Sequence, residues 1–452
     1  MLRILINAYA CCPDMGSEQG MAWNFISRIA KFCEVFVITE SEYKDANLAA
    51  ISYTEDMASV NEYGLSRIEC ERIHFCFIPA GNSEEETQKI RTMCWNQGTW
   101  AFYFYYSHWQ MRALSAAREI IESAEASSSG IDVMHQLNMA GFREPGMLYK
   151  INEERLSEGI KPIPLVWGPM TGYGSIPFRF MIKGGLKFTA FYSIKNILND
   201  IQLMFHPRVR KMIKASDKLL CATPEMRKGL KRYYRIDAEQ FNETACNDNR
   251  EVKPTIRKRF DDTTHFKILW VGRFIYTKQL DLAIETISRI KDIPGLEFHI
   301  VGRGFTDAET ERYRLYAENC GINDICIWHG QIPNSEVHRI MQESHVFFFS
   351  SIFEATSTVI LEAIQNYLPI VCFDRCGFGP IVDSEIGIKI PCSSPSHAVS
   401  AFAKNLRMLS ENRNLLSSMS EHCKEKQIEL SWTLKIERLI EIYSDLSERY
   451  TS

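Results

Sequence analysis

No stretch of this chain approaches the ~18 consecutive apolar residues that a membrane-spanning helix needs. Its 14 cysteines include no C-x-x-C pair, and the nearest neighbours are Cys11 with Cys12 and Cys372 with Cys376. The paired short spacings of zinc ribbons and fingers are therefore missing. Charge of one sign is not in excess either: 52 Lys and Arg stand against 56 Asp and Glu, a net −4. That balance argues against a protein built to coat nucleic acid. With 45% apolar and 12% aromatic residues, a disordered, solvating composition is excluded as well. There is no low-complexity tract, no short-period repeat and no convincing D-x-D metal pair, since Asp261-Asp262 falls in a polar stretch. The opening LRILINAYACC lacks a small-residue cleavage site, so a first strand is expected there rather than a signal peptide. These absences leave a soluble, cytoplasmic protein of two or three domains, with no metal and no cofactor called for.

What is present is an alternation. Short apolar runs at 3–9, 35–39, 74–78, 132–137, 164–168 and 218–223 are bounded by polar or Gly/Pro residues, as buried parallel strands are. Cys76, Cys221 and Cys372 sit inside such runs, where a thiol acts as a small hydrophobe. Amphipathic stretches between the runs predict βαβ units and a doubly wound sheet. The pattern lapses over the polar 241–265 and restarts at 267–272, 297–302, 325–330, 346–351 and 369–374. Two Rossmann-like α/β domains facing a central cleft are expected, at 1–240 and 266–430, with 241–265 as linker. Residues 431–452 read as an amphipathic helix packing back on the N-terminal domain.

The sharpest chemistry lies after the first strand of the second half. Gly272 ends it, and Arg273 and Lys278 follow on a loop and on a helix expected to begin near Thr277. Two cations beside a helix N-terminus suit an anion; the same residues on a solvated loop would be unremarkable. Further on, Glu354 precedes a helix that contains Glu362, with small Thr356, Ser357 and Thr358 between them. Carboxylates so placed can accept from sugar or ribose hydroxyls, or merely cap and pair a helix.

The order GRFIYTK, HIVGRG, HGQIPNSEV, FEATSTVILEA and PIVCFD resembles retaining glycosyltransferases of family 4, which have the GT-B fold. INAYACCPDMGSEQGMAWNF, DVMHQLNMAGFREPG and PLVWGPMTGYGSIP resemble the N-terminal half of a bacterial, polysaccharide-type branch of that family. The resemblance implies that Arg273 and Lys278 hold the diphosphate of a UDP- or GDP-linked sugar, that Glu354 contacts the donor sugar and that Glu362 takes the ribose hydroxyls. It also implies that the loop with Gly16, Ser17 and Glu18 lies near donor and acceptor, binding the donor, and that His135 stands beside the reacting sugar. His135 on an apolar strand equally suits a core histidine. Metal-free transfer of a hexose, with retention, to a glycan or lipid-linked acceptor in surface polysaccharide assembly follows as the expected function. An epimerase on the same fold, or a non-catalytic nucleotide- or sugar-binding subunit, would share these residues. The chain departs from the family at Cys12, Gln279, Ser357 and the Tyr367-Leu368 pair.

Two stretches could serve the acceptor or a membrane. Residues 95–109 are densely aromatic, which also suits a buried helix. Residues 179–214 hold eight Lys and Arg against Asp200 alone, interspersed with aromatics, and could touch the inner face of a membrane.

Overall fold

A computed structural model describes residues 1–53, 59–94, 100–127, 129–248, 259–355 and 357–451. It divides into two compact units. The first comprises Met1–Tyr173, Asn199–Glu243 and Lys435–Ser452; the second comprises Gly174–Leu198 and Thr244–Leu434.

The first unit is built on a parallel sheet of seven strands: β1 (Arg3–Ala8), β2 (Glu34–Glu40), β3 (Ile73–Ile78), β4 (Val133–Asn138), β5 (Leu165–Met170), β6 (Lys218–Cys221) and β7 (Glu239–Gln240). Their order across the sheet is β3-β2-β1-β4-β5-β6-β7. Strand order reverses between β1 and β4, which pair in parallel from Ile4 with Val133 onward. β4 and β5 are buried at every position, as strands covered on both faces must be. The aromatic helix Trp100–Ala126 turns Phe102, Tyr106 and Trp109 inward. Tyr9 meets the rings of Tyr106 and Trp109 edge-on, at 5.4 and 4.9 Å. These aromatics are core; residues 95–99 lie outside the described residues.

The second unit repeats the plan with β8 (Phe266–Val271), β9 (Leu296–Val301), β10 (Cys326–Gly330), β11 (Val346–Phe349), β12 (Ile370–Phe373) and β13 (Gly387–Ile390), ordered β10-β9-β8-β11-β12-β13. Its switch point lies between β8 and β11. β11 and β12 (VFFF and IVCF) are fully buried. All eleven apolar runs marked in the sequence are strands, whereas β7 and β13 carry no comparable run.

Residues 174–198 group with the second unit, although the contiguous division of the sequence puts them in the first domain. Ile176, Phe180 and Met181 are buried in the second unit's core, and Tyr276 Oη donates to the Phe180 carbonyl. The last helix, Trp432–Thr451, belongs to the first unit from Lys435 onward. There Arg438 pairs with Glu239 at 2.9 Å and Lys435 Nζ donates to the Asn242 carbonyl. Of the linker, 249–258 lies outside the described residues, and buried Arg259 donates to the Met341, Gln342 and Tyr367 carbonyls. The described cysteines form no disulfide.

Candidate active site

Each sheet gathers polar side chains at its own switch point, where open α/β sheets take ligands. In the second unit, β8 runs into Gly272 and Arg273, then a 3₁₀ turn at Tyr276–Lys278. The helix expected near Thr277 begins instead at Leu280 and runs to Ser288. Gln279 separates turn from helix with φ of 54°, a left-handed conformation that glycine adopts without strain. Gln279 is held by burial and by Nε2 donating to the Tyr276 carbonyl at 2.7 Å.

The turn is stitched to the end of β11. Ile352 N–H donates to the Thr277 carbonyl at 2.8 Å, and Ser350 Oγ donates to the Lys278 carbonyl at 2.8 Å. Trp270 Nε1 donates to the same Ser350 oxygen at 2.9 Å. These bonds bring Lys278 against Glu354: the ammonium pairs with Glu354 Oε1, and each side chain is 17% exposed. Ser351 Oγ lies 2.6 Å from the same oxygen, and Lys278 Nζ is 5.5 Å from the centre of the Phe349 ring.

Beside this pair, the ends of β8, β9 and β10 enclose a cleft of about 400 Å³, lined by Gly272, Arg273, Arg303, Gly304, Phe305 and Gln331 among others. Gly302 has φ of 127°, and a Cβ there would lie 1.9 Å from the Gly272 carbonyl oxygen. Only glycine lets the two strand ends approach so closely. Two guanidinium groups, Arg273 and Arg303, give the cleft its positive character. Arg303 was not singled out in the sequence, although HIVGRG contains it. Glu362, the fifth residue of helix Thr358–Gln365, accepts from Asn334 Nδ2 at 3.0 Å. Ser357 stands just before that helix, makes no side-chain capping bond and is buried; Thr358 is exposed, and Thr356 lies outside the described residues.

The first unit's switch point is organised by Asn138 at the end of β4. Its Nδ2 donates to the carbonyls of Ala10 (2.7 Å) and Glu18 (3.2 Å), fixing the loop after β1. Gly16 precedes helix Ser17–Ile29, and Ser17 takes φ of 58°. The Glu18 carboxylate accepts from Ala140 N–H at 3.2 Å. Glu144 follows in the REPG segment; it is buried, and its Oε2 has no hydrogen-bond partner among the described residues. Burial pushes both carboxyls up to about 7, against bonding to Ala140 for Glu18 and the Arg143 charge for Glu144. The mutual repulsion of the two carboxylates adds to the rise at Glu144. Carboxyls poised between protonation states can both accept from and donate to sugar hydroxyls. Glu144 escaped the sequence reading, its only signal being a place just beyond a strand end.

His135 is fully buried. Its Nε2 lies 2.7 Å from the Gly168 carbonyl and its Nδ1 2.5 Å from Tyr443 Oη. A carbonyl only accepts, so Nε2 carries the proton and Nδ1 accepts from Tyr443. Burial pulls the imidazole down to about 4. Both ring nitrogens serve the fold, the core role that the strand pattern left open.

Residues 252–426 match the family model described as Glycosyl transferases group 1. The matched stretch takes in all six strands of the second unit's sheet. Among curated relatives, a phosphatidylinositol N-acetylglucosaminyltransferase component from Arabidopsis thaliana is 29% identical over 143 residues, 31% of each chain. A putative teichuronic acid biosynthesis glycosyltransferase of Bacillus subtilis is 28% identical over 131 residues, 28% of this chain and 30% of that one. The matched stretch thus spans about a third of each relative. Solved structures align over the whole length. A glycosyltransferase from Rickettsia africae superposes with TM-score 0.58 at 14% identity, covering 98% of both chains. Anabaena HepE in complex with UDP gives TM-score 0.58 at 10% identity, covering 98% of this chain and 100% of that one. Sucrose-phosphate synthase from Thermosynechococcus elongatus gives 0.57 at 13% identity, covering 99% of both. At such identities the likeness establishes the fold: two parallel-sheet, Rossmann-like domains of the GT-B class.

Proposed function

We propose that this protein is a retaining glycosyltransferase that moves a hexose from a nucleoside-diphosphate donor to a glycan or lipid-linked acceptor. The observation that carries the reading is the Lys278–Glu354 pair at the second unit's switch point, beside the cleft lined by Arg273 and Arg303. As the glycosidic bond to the diphosphate breaks, negative charge grows on the leaving phosphate. Lys278 and Arg273 stabilise that charge without a metal, Glu354 addresses the donor sugar and Glu362 the ribose. In the first unit, Gly16 and Ser17 hold the loop, while Glu18 and Glu144 offer carboxyls to the acceptor's hydroxyls. Two relatives whose names involve phosphatidylinositol and teichuronic acid support an acceptor that is a lipid headgroup or a surface polymer.

The test is a thermal-shift screen of UDP, GDP and their sugars, followed by product analysis with the stabilising donor. A rise in melting temperature with one nucleotide, and an acceptor-dependent glycoside of unchanged anomeric configuration, is the expected result. No response to any nucleotide sugar would overturn the reading. Conversion of the donor with no acceptor present would make the protein an epimerase instead.

A further inference from the structure

Ordinary surface helices turn apolar residues inward and polar ones to water. Helices Phe178–Lys183 and Leu186–Phe205 do something different. Their inward side is already supplied: Phe180 and Met181 are buried, and Phe188 packs on Tyr276 and Tyr192 with ring centroids 4.4 and 4.3 Å apart. Yet their outward side is apolar too. Phe178 is 61% exposed, Leu186 90%, Phe191 61% and Ile194 59%. Ile197 and Leu198 continue the exposed stripe along the longer helix. Positions 187, 191, 194 and 198 recur every three or four residues, so they share one face. Single exposed hydrophobes need no explanation, whereas a contiguous set on one face marks an interaction surface.

The charge on this face identifies the occupant. From Gly174 to Leu198 there is no Asp or Glu, while Arg179, Lys183, Lys187 and Lys195 are present. Arg179 and Lys187 are exposed; Lys183 pairs with Asp281 and Glu285, and Lys195 lies over the Tyr192 and Phe353 rings. Bulky apolar side chains among cations, with acids excluded, match an anionic lipid surface: the side chains enter the acyl boundary and the cations meet headgroups. A protein partner or a second copy would be met as well by a patch carrying both signs of charge. Among the described residues no helix is long and apolar enough to cross a bilayer, so the contact is with its surface. We infer that the outward face of residues 178–198 docks this protein onto membranes containing anionic lipid. The inference goes beyond the catalytic reading and does not depend on it.

The test is co-sedimentation of the full chain with phosphatidylcholine vesicles, with and without phosphatidylglycerol. Binding is expected only with phosphatidylglycerol, and to weaken as salt rises. Lys187→Glu should weaken it about fivefold or more, the effect of one cation near such a surface. The double variant Phe191→Ser/Ile194→Ser should weaken it by about tenfold or more. Circular dichroism and nucleotide-induced thermal shifts of both variants, unchanged from wild type, separate loss of docking from loss of fold. Equal binding to neutral vesicles, no binding to either, or unaltered binding by both variants would overturn the proposal. So would a concentration-dependent dimer that Phe191→Ser/Ile194→Ser dissolves, since the face would then be covered by a second copy.

Discussion

Lys278→Ala separates the structural work of Lys278 from its work on a ligand. In the unliganded protein its ammonium pairs with Glu354 where both side chains are 17% exposed. Breaking a fully buried pair costs about 3–5 kcal/mol, and an exposed one is worth about 0–1 kcal/mol. With Ser351 Oγ still 2.6 Å from the stranded carboxylate, an intermediate cost of about 2 kcal/mol is expected. In a unit of this size that lowers Tm by about 4–8 °C. The ligand effect is additional. A charge-assisted hydrogen bond to phosphate contributes about 1.5–3 kcal/mol, roughly 10–150-fold in Kd. A nucleotide at about 100 times its Kd stabilises the wild type by about 2.7 kcal/mol. At the same concentration the variant would gain only about 0.3–1.4 kcal/mol, so the nucleotide-induced shift should fall by about half or more. Glu354→Gln provides the contrast. It also breaks the ion pair and lowers unliganded stability, but it leaves the cation in place and should keep the nucleotide-induced shift. Thermal-shift titrations of the three proteins with the stabilising nucleotide read both quantities. A full wild-type nucleotide shift in Lys278→Ala would refute the assignment of Lys278 to the diphosphate.

Glu144→Gln should be more stable than wild type near pH 8, by about 1–3 kcal/mol, and should lose that advantage by pH 5. The wild-type carboxyl, raised to about 7, binds its proton more tightly folded than unfolded, so stability falls as pH rises from the usual carboxylate range to about 7; urea unfolding at a series of pH values checks the slope. His135 acts in the opposite direction: its imidazole is lowered to about 4, so its contribution is whole above the ordinary 6.5 and is lost as pH falls from there toward 4. His135→Phe should remove that acid-side slope, while costing about 2–4 kcal/mol at pH 7 by leaving Tyr443 Oη and the Gly168 carbonyl unpartnered. Gly302→Ala should cost about 2 kcal/mol or more by urea unfolding and should weaken nucleotide binding, because its Cβ would meet the Gly272 carbonyl at 1.9 Å.

What the sequence made legible was local. Parallel strands buried on both faces leave unbroken apolar runs, so VFFF and IVCF announce themselves, while the two-residue β7 and the lysine-bearing GIKI of β13 do not. Residues on loops directly after such strands were legible too, which is why Lys278 and Glu354 could be named before their contact was visible. What stayed hidden depends on pairings across long separations. Residues 174–198 join the second unit through Phe180 and Tyr276, 96 positions apart. His135 is committed to the core by Tyr443, 308 positions away, and no feature of DVMHQLN reveals that partner. Glu144 shows the same limit from the other side. A glutamate in a loop is unexceptional until folding buries it near Glu18, and only that burial raises its proton affinity. Strand ends can therefore be read as candidate ligand positions, but the protonation state of what stands there is set by contacts the local pattern does not encode. The Glu18 and Glu144 carboxyls at the first unit's switch point are for that reason the part that structure adds to the sequence.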